Sequence, residues 1–321
     1  MKNKIGVSII ITTFNQEMYV EKAVQSALNQ KTDFYYEILI GDDFSTDNTK
    51  EICSRYAQKY PDIVILEPRS KNIGLIDNYA DLIKKAKGKY IAILEGDDLW
   101  IDLYKLQKQY NFLESNNCGL VFSNCQLLDN ETGKTILKYP TPINRQLGAI
   151  YNNLIRENFI TAVTVVFKRD LIIQHLKDDL EEIRKFKTID YYIILLIAKH
   201  SKIGYIEDIT SVYRIHNNSI SNNKSLEARL KFLQSTLEIK IFFLKKFRGN
   251  ENLFKLIYSR HYYDLFIVFL LFEETNSSIS NINLDKNNNL LLTLYFRNRV
   301  IRRIIRALYS IYKIFKIHRK Y

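Results

Sequence analysis

Cysteine is scarce in this chain. Cys53, Cys118 and Cys125 are the only three, and no two of them form a CxxC pair. An odd, sparse set builds neither a disulfide framework nor a zinc site. Buried thiols in a reducing compartment are the expected state. Long apolar runs are missing too: no stretch reaches the ~18 to 20 uncharged apolar residues that a membrane-crossing helix needs. The run Ile5–Phe14 follows a basic start, but it is β-branched, offers no small-residue cleavage site and leads into Asn15-Gln16. It reads as a buried strand, not a secretion signal. No internal repeat is visible. Acidic residues are absent from residues 297–321, where nine bases fall: Arg297, Arg299, Arg302, Arg303, Arg306, Lys313, Lys316, Arg319 and Lys320. The net charge is +12, and the remaining 38 bases against 35 acids leave +3 for everything before this tail. The body is nearly neutral, and the tail is the basic object.

What is present suits one large domain with an appendage, or two small domains, in 321 residues. A hydrophobic share of 46% is enough for a sizeable core. The 22 Tyr and 18 Phe fit an aromatic core more readily than a broad binding surface. Four apolar runs, Val7–Phe14, Glu37–Ile40, Ile63–Leu66 and Tyr90–Leu94, alternate with helical patterns over Glu17–Asn29, from a cap at Ser45 or Thr46 to about Tyr60, and over Leu75–Lys87. Gly88 reads as the stop of the third helix. Alternation of this kind means parallel strands with right-handed crossovers, and near-continuous Ile/Val/Leu content means a sheet covered on both faces. Ligands of such sheets bind beyond the carboxyl ends of the strands. The polar clusters Thr12-Thr13-Phe14-Asn15, Gly41-Asp42-Asp43 and Gly96-Asp97-Asp98 all stand there. Asp102–Asn116 reads as a further helix, and Asn130-Glu131-Thr132-Gly133 as the turn of a hairpin. Arg229–Phe247 and Leu253–Glu273 read as long helices before the Asn-rich linker 276–289.

Asp97-Asp98 follows a buried strand and a glycine. Neighbouring carboxylates on a strand point in different directions, but at a strand-to-loop turn one can meet a metal while the other meets a ribose hydroxyl. Hard oxygen ligands suit Mg2+ or Mn2+, with diphosphate oxygens completing the shell. A solvated turn with helix capping is the plainer alternative. Asp42-Asp43 is likewise either a turn with a cap or a carboxylate that accepts the imide N–H of a uracil. In an extended segment Arg214 and His216 fall on one face, where a guanidinium suits phosphate oxygens and an imidazole suits a metal shell.

The run Val7-Ser8-Ile9-Ile10-Ile11-Thr12-Thr13-Phe14-Asn15, with Asp42-Asp43-Phe44-Ser45-Thr46-Asp47 and Glu95-Gly96-Asp97-Asp98, resembles the family 2 glycosyltransferases. The resemblance covers about residues 5–222, with several motifs in the right order. It implies a GT-A fold, an α/β architecture with a Rossmann-like, mixed but mostly parallel sheet flanked by helices. It also implies a nucleotide-diphosphate sugar donor and Mn2+ or Mg2+ as cofactor. Thr13 and Asp43 would contact the base, Asp97 would lie near the ribose or sugar, and Asp98 would hold the metal. Asp190, in Thr188-Ile189-Asp190-Tyr191-Tyr192, would be the catalytic base, against a plain helix cap. Tyr213-Arg214-Ile215-His216-Asn217-Asn218-Ser219-Ile220-Ser221 resembles a loop that closes over the diphosphate, with Arg214 on phosphate and His216 on the metal. Phe44 departs from the family, which usually has glycine or a small polar residue there.

The expected organisation is a GT-A domain over residues 1–222, a helical extension with the Asn-rich linker over 223–289, and a basic amphipathic helix over 290–321. The expected activity is inverting transfer, from a UDP-sugar by default, to a glycan or lipid-linked glycan in surface polysaccharide assembly. The tail either rests on an anionic membrane surface or packs on the body with a solvated basic face. The expected place is the cytoplasm, peripheral to the inner face of the membrane in the first case. A sugar-nucleotide pyrophosphorylase would want a glycine-rich phosphate loop, and Thr12-Thr13-Phe14-Asn15 has no glycine. A non-enzymatic protein that engages nucleic acid through the tail would leave Asp43, Asp98 and Asp190 without a purpose, so no nucleic-acid partner is expected.

Overall fold

The computed structural model describes residues 4–67, 69–138, 148, 150–216, 219 and 225–275, with side chains to residue 268. The basic helix expected over 290–321, all of the linker 276–289 and residues 217, 218, 220 and 221 lie outside the described residues.

The four apolar runs form β1 (Ile5–Thr13), β2 (Tyr35–Asp42), β3 (Val64–Glu67) and β4 (Tyr90–Ile93). They pair in parallel in the order β3-β2-β1-β4. Between them run α1 (Val20–Leu28), α2 (Thr49–Lys59) and α3 (Leu75–Lys85). Side-chain alternation divides β1 between two cores: Val7, Ile9 and Ile11 face one cluster with α1 and α2, and Ile10 faces the other with α3. The sheet is therefore covered on both faces, as its continuous apolar content demands.

The second half adds β5 (Leu99–Trp100), α4 (Lys105–Ser115), β6 (Leu120–Asp129), β7 (Thr135–Lys138), α5 (Tyr151–Arg156), β8 (Val166–Lys168), α6 (Asp170–Ile183), α7 (Asp190–His200) and β9 (Ile203–Ile215). The sheet continues from β4 through β8, β6 and β9 to β5, with β7 on β6. The β6–β7 pair is the expected hairpin. Antiparallel pairs join β4 to β8, β8 to β6 and β9 to β5, while β6 and β9 run parallel. This is the mostly parallel, helix-flanked α/β sheet expected from the sequence.

Helices α8 (Leu226–Lys246) and α9 (Glu251–Thr275) follow. Leu237, Ile239, Phe243 and Leu244 of α8 and Ile257 of α9 join the same cluster as α5, α6 and α7. These helices thus share the core of the second half of the sheet. Among the described residues no helix is long and apolar enough to cross a membrane.

Two local expectations need correction. Neither Ser45 nor Thr46 caps α2. The cap position is Asn48, and the Asp47 carboxylate accepts the Thr49 N–H at 3.0 Å, while Ser45 turns back to Asp42. Gly88 does not stop α3 by a left-handed turn, because the cap residue is Ala86. Glycine is needed there because a Cβ would stand 2.4 Å from the Ser8 backbone nitrogen on β1. Lys105, at the start of α4, is fully buried with its ammonium 4.5 Å from the centre of the Trp100 ring and 2.5 Å from Gln109 Oε1.

Candidate active site

β1, β2 and β4 end together at one edge of the sheet. Thr13 and Asp42 are register partners, and Gly96 N donates to Thr12 O at 3.0 Å. A cavity of about 820 Å³ opens there, lined by Thr13, Asp43, Glu95, Asp97 and Asp190 among others. A volume of that order is typical of small-molecule sites. Gly96 is required by contact: a Cβ there would lie 2.4 Å from Gln16 Oε1 and 2.8 Å from Thr13 Oγ1.

Thr13 is 3% exposed, and its hydroxyl has no hydrogen-bond partner among the described residues. Asp43 is committed on one side: its carboxylate accepts Ile73 N–H at 2.7 Å and Gly74 N–H at 2.9 Å, which fixes the loop before α3. Each carboxylate oxygen has a second lone pair, so the group keeps acceptor capacity toward the cavity. Phe44 lies in the left-handed region at φ +65°. That conformation accounts for the glycine or small residue usual at this place.

The antiparallel pairing of Leu99 with Val212 carries the Asp97-Asp98 turn alongside the end of β9. Arg214 N–H donates to Asp98 Oδ1 at 2.8 Å, and the Arg214 guanidinium donates to the Asp97 carbonyl at 2.6 Å. His216 Nε2 lies 2.8 Å from Asp97 Oδ2. Arg214 near the end of β9 and His216 just past it thus meet the same turn. Arg214 is 6% exposed and, like Asp98 and His216, reaches the cavity through Asp97 and not as part of its wall. Tyr19 stacks on His216 with ring centres 5.1 Å apart, and its ring centre lies 5.4 Å from the Arg214 guanidinium.

The donor set fits a divalent cation. Ligand atoms of Glu95, Asp97 and Asp98 lie within 4.8 Å of one another, and Asp98 Oδ2 is buried without a partner among the described residues. Burial, then the charges of Asp97 and Asp190, push the Glu95 carboxyl up to about 8. Burial, then Asp97 and Glu95, raise Asp98 well above the usual carboxylate range. Three carboxylates against the single Arg214 guanidinium leave the cluster short of positive charge, and hard oxygens of this kind select Mg2+ or Mn2+.

Asp190 opens α7, and the cap position belongs to Ile189. Burial raises the Asp190 carboxyl, opposed by hydrogen bonds from Tyr191 N–H and the Thr188 hydroxyl. Three participants carry no role in the sequence reading. Glu95 stood in the quoted motif without a function. Tyr79, whose hydroxyl meets Glu95 Oε1 at 3.1 Å, and Tyr19 gave no local signal. Both reach the site only through the packing of their helices.

A mixed, mostly parallel sheet with an acidic turn at its carboxyl edge fits the GT-A fold expected from the sequence. S. aureus TarS residues 1–349, in complex with UDP-GlcNAc, superposes with a TM-score of 0.58 at 16% identity over 92% of this chain and 83% of that one. The alignment with a longer TarS chain covers 40% of that chain. The mannosyltransferase PcManGT of Pyrobaculum calidifontis, in complex with GDP-Man and Mn2+, gives 0.56 at 18% identity over 94% and 83%. Residues 8–176 match Glycosyl transferase family 2, and the chain belongs to that family. The Escherichia coli UDP-Glc:alpha-D-GlcNAc-diphosphoundecaprenol beta-1,3-glucosyltransferase WfgD is 31% identical over 237 residues, 70% of this chain and 82% of that protein.

Proposed function

We propose that the chain is an inverting, metal-dependent transferase. It moves a sugar from a nucleotide-diphosphate donor, a UDP-sugar by default, to a hydroxyl of a glycan or lipid-linked glycan in surface polysaccharide synthesis. The observation that carries this reading is the cavity that joins Thr13, Asp43 and Asp97 to Asp190. TarS with UDP-GlcNAc, PcManGT with GDP-Man and Mn2+, and the lipid-linked acceptor in the name of WfgD support it.

Thr13 and the free lone pairs of Asp43 contact the base. Asp98 Oδ2 and His216, with Asp97 beside them, would hold the cation, and Asp97 also borders the ribose and sugar. When bound, the cation neutralises diphosphate charge and so makes the diphosphate a better leaving group. Arg214 fixes the Asp97 carbonyl and the Asp98 carboxylate and adds positive charge beneath the diphosphate. Asp190 accepts the proton of the acceptor hydroxyl. The acceptor oxygen bonds to the anomeric carbon as the bond from that carbon to the diphosphate breaks on the opposite face. Holding both substrates in one cavity supplies much of the rate.

The test is release of nucleoside diphosphate from UDP- and dTDP-sugars, with and without Mn2+ and acceptor. Asp190→Asn is expected to cut transfer by about 10²- to 10⁴-fold, the range of a general base, with UDP affinity retained. Near-normal transfer by a folded Asp190→Asn protein would remove the assignment.

A further inference from the structure

The cavity has two ends of opposite charge. Asp43, Glu95, Asp97 and Asp190 line one. At the other, Lys138 of β7, Arg156 at the end of α5, Lys240 of α8 and Arg260 of α9 stand with Glu157 and Asp264. Four cations against two carboxylates leave two positive charges in excess. Arg260 is committed to both carboxylates, at 3.1 Å from Glu157 and 3.0 Å from Asp264. The other three have no carboxylate at ion-pair distance among the described residues.

Lys240 is 5% exposed, and its ammonium donates one bond, to the Arg156 carbonyl at 3.0 Å. Lys138 donates one, to Thr161 Oγ1 at 2.8 Å. An ammonium carries three protons, so each keeps two donors in hand. The exposed Arg156 guanidinium has no partner among the described residues. Burial pushes Lys240 down to about 8 and lowers Lys138 as well. Asp264 and Glu157 lie within electrostatic range of Lys240 but not in ion-pair contact with it, and an anion placed directly among these buried cations relieves the rest of their burial cost. Lys138 also lies within electrostatic range of both Asp190 and Glu157, so it joins the two ends.

We propose that this basic end binds a phosphate group carried by the acceptor, which presents the acceptor hydroxyl to Asp190. The proposal rests on the reading of Asp190 as the acceptor's base and adds the acceptor's chemical class. Two excess charges match a phosphate dianion or a diphosphate better than a single carboxylate, and a guanidinium with two ammonium groups supplies the donors. The phosphate belongs either to the anchor of a lipid-linked acceptor or to a phosphate ester within a soluble glycan.

The experiment is calorimetric titration of the full chain, preloaded with UDP and Mn2+. The probes are decyl phosphate, glucose 1-phosphate and, as an uncharged control, decyl glucoside. At least one phosphate probe is expected to bind where the control does not. Arg156→Gln and Lys138→Gln are each expected to weaken it about tenfold, the loss of one bond to a charged group, with UDP affinity unchanged. A tenfold preference for decyl phosphate identifies a lipid anchor, and parity or the reverse identifies a glycan phosphate. Arg156 is exposed, so its variant keeps the fold. The proposal is overturned if the phosphate probes do not bind, bind the variants as tightly, or displace UDP. Failure of UDP itself to bind would instead strike the donor reading, and the same titration without UDP would still decide the basic end.

Discussion

Phe44 and Gly96 show how single residues set the shape of this site. Phe44 sits at φ +65°, a conformation that costs a non-glycine residue about 1–2 kcal/mol. Its ring is 45% exposed, so little packing offsets the strain. Glycine at 44 also loses more freedom on folding, which takes back part of the gain. Phe44→Gly is therefore expected to stabilise the protein by up to ~1 kcal/mol, read as a rise in the denaturant midpoint; a clear loss of stability would contradict it. Gly96 has the opposite character. A methyl group there collides with Gln16 and Thr13, so Gly96→Ala is expected to weaken UDP binding at least tenfold, measured by calorimetry. Unchanged UDP affinity would show that the Thr13 region takes no part in donor binding.

At the scale of elements, the sequence showed the parallel half of the sheet clearly. Buried parallel strands are nearly uniform in Ile, Val and Leu, and their turns carry the polar residues. The other half was harder to read. β5 has two residues and β8 three, and runs that short have no periodicity to detect. Hence the motifs located Asp97, Asp98, Arg214 and His216, while the β5–β9 pairing that unites them could come only from tertiary structure. Glu95 was visible in its motif, but its protonation depends on burial and on Asp97 and Asp190, none of which is local information. Lys105 of α4 gave no signal either. Burial lowers its ammonium from 10.5 to about 7 in the folded protein. Between those values the unfolded chain binds the proton and the folded one does not, so this group makes stability rise with pH across that window. The contribution is at most ~1.4 kcal/mol per pH unit, and Lys105→Met should abolish it and stabilise the protein near pH 7. Denaturant unfolding of both proteins between pH 7 and 10 tests this. Equal slopes would show that Lys105 stays charged when folded.

On the scale of the whole molecule, the carboxylates beside Asp97 repel one another in the absence of a cation. Binding to the folded state alone stabilises by mass action, about 2.7 kcal/mol at a hundredfold excess over Kd. For a chain this long that is a rise of roughly 4 °C in Tm with saturating Mn2+, lost in Asp97→Asn. No shift with either Mn2+ or Mg2+ would argue against a metal site. The helical extension is not a detachable module on this reading. Leu237, Phe243 and Ile257 lie in the main core, and Lys240 and Arg260 wall the cavity.

The insertion of β9 between β6 and β5 has a further consequence, in time rather than in space. The sheet's interior includes a strand that leaves the ribosome after every other strand of the sheet. Until residues 203–215 emerge, β6 and β5 present unpaired edges, and Asp98 lacks the backbone donor from Arg214. Pairings this distant along the chain close slowly, because the intervening loop must be ordered first. A nascent chain is thus unable to assemble the carboxylate turn early, and the acquisition of activity should coincide with the last step of sheet closure.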